Sequence, residues 1–204
     1  MNTYTKMESE QIKELLIEAS RQFPDNVIAN LRQGDLVHKA SGLYYEIDDP
    51  DVYQRIADVP PGTVPFSNIY KLFKSDERNT MRTFVDEGIR KDGKTILPYS
   101  RAVELGQGTC LEKSVAVQLA AQGARDSFLI NGCLRVDDFF GFHAYNIVFK
   151  DGNPSLLDVE NPILIEKDGK QTLVPYIVPV LGINQEGIIF QNSKFNSGRT
   201  YELF

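Results

Sequence analysis

Apolar positions recur at helical spacing near the start of the chain. From Glu8 to Phe23, apolar residues lie three and four positions apart, and Pro24 stops the run. This pattern predicts an amphipathic helix that packs on the domain. The following residues, 25–33, are predicted to continue the helical run, with Gly34 as its end.

Two further segments complete the N-terminal part. Residues 41–63 contain several turn signals, including Pro60-Pro61-Gly62, and short extended pieces, and predict an irregular connection. Residues 69–89 have apolar residues at helical spacing, interrupted by the polar stretch 74–79, which predicts two helices. We therefore expect residues 1–95 to be a helical N-terminal part.

The pattern changes after residue 95. Ser100 to Leu105 predicts a short helix ended by Gly106, and a second helix is expected from Cys110 to a closing Gly123. Beyond it the apolar residues form extended runs typical of strands. These runs lie at 127–130, 145–149, 156–159, 163–165, 173–180 and 187–190.

Two Asp-Gly dipeptides separate extended runs and predict tight hairpins. They are Asp151-Gly152 and Asp168-Gly169. Helices followed by antiparallel strands are typical of the α+β class. We expect one domain over residues 1–204, with residues 163–204 as C-terminal strands.

The composition narrows the functional classes. The chain has 204 residues, 42% hydrophobic and 25% charged, which suits one globular domain. A net charge of −6 gives no general attraction to nucleic acid or anionic lipid. Because a spanning segment of about 18 apolar residues and a signal peptide are both missing, we expect a cytoplasmic protein with no membrane insertion. Export as an effector without a signal peptide stays open.

The chain has two cysteines and two histidines. Two cysteines are too few for a disulfide framework, and His38 and His143 lie too far apart for the paired-ligand spacing of a zinc site, so we expect neither metal nor cofactor. Thr109-Cys110-Leu111-Glu112 matches a capping box and places Cys110 at a helix start. There the helix dipole favours a thiolate, although a buried, inert thiol is the alternative. Cys133 is predicted to be packed beside a strand.

His143 precedes the first predicted hairpin. A two-residue loop at Asp151-Gly152 gives pairs that place His143 opposite Glu160, with Asp158 as its diagonal neighbour on the same face. A carboxylate there would orient the imidazole as a general base. The alternative is a structural histidine, which is how we interpret His38.

The stretch from about Leu97 to Pro162 resembles the transglutaminase-like superfamily, within the papain-like cysteine protease fold. The likeness rests on a Gly-x-Cys that opens a helix, a strand, then His-Ala-aromatic, then an Asp on the next strand. In this sequence these are Gly108-Thr109-Cys110, His143-Ala144-Tyr145 and Leu157-Asp158. The resemblance implies a papain-like core over residues 97–162.

The resemblance further implies a catalytic triad of Cys110, His143 and Asp158. Since the family's Asp-Pro is absent here, Glu160 is an alternative third member. Gln107 or Tyr99 is expected to contact the oxyanion or substrate. The expected partner is a protein or peptide substrate that carries Gln or another amide.

The implied reaction is thiol acyl transfer, with water as the expected acceptor, so a protease, amidase or glutamine deamidase. Two alternatives stay open. One is a transglutaminase with an amine acceptor, and the other is a non-enzymatic binding or assembly module on the same scaffold.

Overall fold

A computed structural model describes residues 6–57, 66–74, 77–122, 125–167, 169–184, 187–190 and 198–203. Within these ranges the helices are α1 Ser9–Gln22, α2 Val52–Ala57, α3 Phe66–Leu72, α4 Glu77–Glu87, α5 Tyr99–Leu105 and α6 Cys110–Ala121. The strands are β1 Val27–Ile28, β2 Leu36–Ala40, β3 Leu43–Glu46, β4 Ile89–Lys91, β5 Lys94–Pro98, β6 Ser127–Val136, β7 Phe139–Lys150, β8 Asn153–Lys167, β9 Lys170–Asn184, β10 Gly187–Phe190 and β11 Arg199–Glu202.

The strands form two sheets. The larger has the order β1-β6-β7-β8-β9-β10, and β11 also pairs with β6. Its strands pair antiparallel, and β10 contacts β11, so the sheet curves strongly. The smaller sheet has the order β2-β3-β5-β4, in which β3 and β5 run parallel. The protein therefore belongs to the α+β class.

Helix α6 lies at the centre of the fold. Every residue from Leu111 to Ala121 is buried, including the polar residues Glu112, Lys113, Ser114 and Gln118. One side packs on apolar residues of the large sheet, such as Leu129 and Val148, and the other on the small sheet and helices α2 to α5. A second core lies on the opposite face of the large sheet, under α1.

Several predictions for the N-terminal part are confirmed. The first helix runs over Ser9–Gln22, and residues 69–89 do contain parts of two helices, α3 and α4. The short helix α5 ends at Gly106, which has a positive φ of 59° that suits glycine. In the described chain, no helix has the length and apolar character needed to cross a membrane.

Other predictions for this part are wrong. Residues 25–33 do not continue the first helix, because Val27 and Ile28 form a strand that pairs with β6. The stretch 41–63 contains β3 and α2 as well as turns, so the N-terminal part is not purely helical. The tertiary pairing of these short β-branched segments outweighs the local pattern. The predicted turn at Pro60-Pro61-Gly62 lies outside the described residues.

The first hairpin prediction is confirmed. Lys150 pairs with Asn153, and Asp151 and Gly152 have positive φ values of 51° and 76°, as a two-residue turn requires. In the second hairpin Lys167 pairs with Lys170. Asp168 and the helix-closing Gly123 lie outside the described residues.

Candidate active site

The start of α6 presents Cys110. The predicted capping box is formed, because the Thr109 side chain accepts the N–H of Glu112 and the Glu112 carboxylate accepts the N–H of Thr109 at 2.7 Å. Cys110 is thus the first residue of the helix, and its side chain is partly exposed. The backbone N–H groups at the start of an α-helix have no carbonyl partner four residues earlier in the helix.

A buried network of charged and polar side chains stabilises the start of α6. Glu112 is fully buried and accepts hydrogen bonds from Tyr45, at 2.7 Å, and from Lys39. Lys39 also bonds to Thr109 and Glu77, each at 3.1 Å. Burial alone would raise the pKa of Glu112, but attraction to Lys39 and the bond from Thr109 lower it below its usual value. Glu112 is therefore a buried carboxylate ion.

His143 lies on β7, buried beside the start of α6. Its Nε2 is 2.8 Å from Asp158 Oδ2. His143 also interacts with the Cys110 side chain, and this interaction is one of the causes that raise the pKa of the imidazole. Burial lowers the pKa of His143. Attraction to Asp158 and the interactions with Asp158 and Cys110 raise this pKa by more than burial lowers it, so that the pKa is about 10. The imidazole is therefore protonated at neutral pH.

Asp158 is the most densely hydrogen-bonded carboxylate of the site. Its Oδ2 accepts from His143, from the Tyr201 hydroxyl at 2.8 Å and from the Asn161 amide at 2.9 Å. Its Oδ1 accepts the backbone N–H groups of Glu160 and Asn161. Burial raises the pKa of Asp158, but the His143 charge and these bonds lower it overall. This carboxylate stays ionised and holds the ring in one orientation.

The hairpin register explains how His143 and Asp158 meet. The β7–β8 ladder runs from Lys150 paired with Asn153 to Asn146 paired with Leu157, which is the predicted register. Asp158 follows the last pair directly, where the pairing of β8 with β9 becomes irregular. The two side chains therefore approach just beyond the regular ladder.

Glu160 has a different partner. Its carboxylate forms an ion pair with Lys113 Nζ at 2.5 Å, and the Lys113 side chain is 1% exposed. The side chain of Glu160 is thus engaged away from the imidazole, while its backbone N–H supports Asp158. Of the two predicted carboxylates, the structure brings Asp158 to His143.

The two expected oxyanion or substrate contacts differ in placement. Gln107 lies just before the helix start, and its Oε1 accepts a hydrogen bond from Thr83 at 2.9 Å, which directs its amide nitrogen away from that bond. The expectation for Tyr99 is corrected. Tyr99 is fully buried and its hydroxyl donates to the Glu112 carbonyl at 2.7 Å, so its donor lies inside the core.

The other rare residues lie in ordinary surroundings. The His38 ring lies tilted beside the ring of Tyr44, with ring centres 5.2 Å apart. Cys133 is buried in β6, and burial together with the nearby Glu202 raises its pKa. In the ranges that the structure covers, no three His, Cys, Asp or Glu side chains cluster as metal ligands would.

Sequence reasoning missed several residues that complete this site. Tyr201 and Asp158 are 43 positions apart, and no local motif links β11 to β8. Lys39 and Tyr45 likewise reach the helix start through the small sheet, from about 70 positions away. Asn161 lies only three positions after Asp158, and this closeness along the chain is the signal that could have indicated it.

The geometry supplies a thiol at a helix start, an imidazole with an orienting carboxylate, and nearby amide donors. Comparisons with protein-family models, curated proteins and solved structures found no match.

Proposed function

We propose that this protein is a transglutaminase-like cysteine hydrolase, which cleaves a carboxamide or peptide bond through Cys110, His143 and Asp158. The observation that carries the proposal is the position of the His143 ring, whose Nε2 bonds to Asp158 and which also interacts with the Cys110 side chain. A nucleophile, a base and a group that orients the base are what thiol catalysis requires. Their order along the chain also fits the papain-like core.

The first step forms a thioester. In the proposed mechanism the nucleophile is the Cys110 sulfur, which lies at a helix start beside the His143 imidazolium. The sulfur attacks the carbonyl carbon of the substrate amide and gives a tetrahedral oxyanion. His143 then donates its Nδ1 proton to the leaving nitrogen, the C–N bond breaks, and ammonia or an amine departs.

The second step releases the acyl group. Neutral His143 removes a proton from a water molecule, and the resulting hydroxide attacks the thioester carbon. The C–S bond breaks, a carboxylic acid leaves, and the proton returns the site to its starting state. Asp158 stabilises the imidazolium in both steps without changing its own protonation.

The oxyanion requires hydrogen-bond donors near the sulfur. The backbone N–H of Cys110 is one, because it belongs to the unpaired first turn of α6. The amide nitrogen of Gln107 is the second that we propose, since Thr83 holds the opposite end of that amide.

The proposal is tested first on the two thiols. Iodoacetamide at neutral pH should alkylate Cys110 at least about 10-fold faster than Cys133, because the raised pKa of Cys133 leaves it largely protonated. His143→Ala should remove most of this advantage. Peptide mass spectrometry measures both rates in one sample, and Cys133→Ala is the matched control. Equal, slow alkylation of the two thiols would contradict the proposal.

Turnover is then measured on a mixture of Gln-containing peptides in heavy-oxygen water. Cys110→Ala should lower any turnover by about 10⁴-fold or more, and Cys133→Ala should not. Heavy oxygen in the acid product identifies hydrolysis. Transfer to an added amine, with no heavy oxygen in the product, would instead identify a transglutaminase. Full turnover by Cys110→Ala would refute the thiol mechanism.

A further inference from the structure

The edge of β7 that faces β8 is unpaired over its first half. The ladder between β7 and β8 ends where Asn146 pairs with Leu157, and the pairing of β8 becomes irregular from Asp158 onward. On its other side β7 stays paired with β6 as far as Phe139. Within the ranges that the structure covers, residues 139–145 therefore have a strand on one side only.

The alternation of backbone bonds along β7 identifies the residues that use this edge. The N–H of Phe149 donates to the carbonyl of Asp126, which lies on the side of β6. Successive residues of an antiparallel strand bond alternately to their two neighbours, and the register with β6 is unbroken over residues 139–148. The even-numbered residues thus bond toward β8, so Phe140 and Phe142 direct their N–H and C=O groups to the unpaired edge.

The same two residues are exposed to solvent. Phe142 is 92% exposed and Phe140 is 52% exposed, and such a value for Phe142 includes its backbone as well as its ring. Rings in water have apolar area to bury, and an unpaired edge is a template for pairing with another strand. An extended polypeptide meets both needs, because its backbone bonds along the edge while its side chains cover the rings.

The turn before β7 adds a preference for charge. Asp137 and Asp138 connect β6 to β7, and both are exposed. Arg135, just before this turn, lies over the Phe140 ring at 4.8 Å and pairs with Glu202 at 3.6 Å. The two aspartates therefore favour a basic partner over an anionic lipid surface. A second copy of this chain, with its net charge of −6, is also a poorer match than a basic segment.

We propose that the edge of β7 at Phe140 and Phe142 binds an extended segment of a polypeptide as an added strand. Alternate apolar side chains of the partner cover the two rings, and a Lys or Arg of the partner faces Asp137 and Asp138. The inference goes beyond the proposed function, since pairing at this edge requires no chemistry at Cys110.

The test measures binding of the fluorescent peptide Lys-Val-Thr-Val-Thr-Val-Lys, and of analogues with Leu or Phe in place of Val, by fluorescence anisotropy. A Lys at each end serves either strand direction. Two further peptides carry N-methyl groups on the Val nitrogens or on the Thr nitrogens. Because the N–H groups of a strand point alternately to its two sides, one methylated peptide should bind about 10-fold or more weakly, and the other should bind like the parent. Replacing both Lys by Glu should weaken binding.

Three protein variants locate the binding. Phe142→Ala removes one ring and should raise the dissociation constant about 10-fold, as for an aromatic residue at the centre of an interface. Phe142→Pro also removes the N–H at the edge, a position where a strand tolerates proline, and should weaken binding further. Val85→Ala is the matched control, since Val85 is an 82% exposed apolar residue on α4, and it should bind like the wild type. Circular dichroism checks that each variant is folded.

Each alternative gives a distinct result. Equal binding of the two methylated peptides would refute strand addition, and so would a failure of the parent and its Leu and Phe analogues to bind. Unchanged binding by Phe142→Ala would refute the location. A concentration-dependent mass by light scattering that Phe142→Ala abolishes would assign the edge to a second copy of the chain and overturn the proposal. The iodoacetamide rates of the two thiols are measured separately, so the proposed function and this inference fail independently.

Discussion

Two buried carboxylates, Glu112 and Asp158, flank Cys110 and are built alike. Each is fully buried. Each accepts a tyrosine hydroxyl, from Tyr45 at 2.7 Å and from Tyr201 at 2.8 Å. Each also accepts backbone N–H groups and pairs with a cation. Both pKa values lie below the usual range, so both groups are ions inside the protein.

The two carboxylates differ in the cation with which each one pairs. Glu112 pairs with Lys39. Burial lowers the pKa of Lys39, but Glu112 and Glu77 raise it by more, so the pKa lies above its ordinary value and this lysine is charged at neutral pH. Asp158 pairs with His143, which has a second ring nitrogen and a proton that it can donate. The same carboxylate environment thus gives a fixed support under the helix start and a proton-transfer site beside the thiol.

Among the substitutions that test this comparison of the two carboxylates, the largest effect is expected from Asp158→Asn. An amide at this position cannot balance the imidazolium charge, so turnover should fall by about 10³ to 10⁴-fold. Steady-state kinetics measure the loss, and circular dichroism checks that the fold is kept. Glu160→Gln is the matched control, because its carboxylate bonds to Lys113, and it should lose far less activity. A reversed order would transfer the orienting role to Glu160.

The matching substitution at the other buried carboxylate is Glu112→Gln. Glutamine still completes a capping box, so the substitution removes the charge and keeps the helix cap. Lys39, with 6% of its side chain exposed, then retains Glu77 as its only acidic partner among the described residues. The free energy of unfolding should fall by about 3 kcal/mol, the lower end for breaking a buried pair.

Urea unfolding measures this loss, and the double change Lys39→Met with Glu112→Gln should recover most of it, because no buried charge is then left without a partner. Cys110 alkylation in Glu112→Gln should stay faster than that of Cys133, since His143 is untouched. Unchanged stability of Glu112→Gln would mean that the ammonium group of Lys39 reaches water or another partner once the Glu112 charge is removed.

Local signals in the sequence predicted the parts of the site that lie within one motif. The capping box placed Cys110 at the start of α6, and the Asp-Gly turn set the register that brings Asp158 near His143. Both depend on short-range hydrogen bonds and turn geometry, which a few neighbouring residues determine.

The remaining parts depend on tertiary pairing that no local pattern contains. Residues 27 and 28 are predicted to be helical, but they pair with β6. Tyr99 is predicted to contact the oxyanion or substrate, but its hydroxyl donates a hydrogen bond within the core. Tyr201 and Lys39 reach the two carboxylates from distant strands. Such contacts follow from the packing of the two sheets around α6, so the sequence alone did not indicate them.

The smallest expected effect is a pH dependence of stability that only one of the two carboxylate sites produces. His143 has a pKa of about 10 in the folded protein and an ordinary value of 6.5 when unfolded. A raised pKa stabilises the fold fully below pH 6.5, and this contribution is lost progressively as the pH rises toward 10. The free energy of unfolding should therefore decrease from pH 6.5 upward, by at most about 1.4 kcal/mol per pH unit.

The neighbouring groups do not produce this slope. The lowered pKa of Asp158 gives a contribution that is constant above its unfolded value, and Lys39 contributes constantly until the pH passes its raised pKa. Cys133 titrates at the alkaline end, so the measurement uses a Cys133→Ala background between about pH 6.5 and 8.5. His143→Gln should flatten the curve, while Glu112→Gln should lower it and keep its slope. Equal slopes in both variants would show that the imidazole is not the charged partner of Asp158, and the distinction between the two carboxylates would then fail.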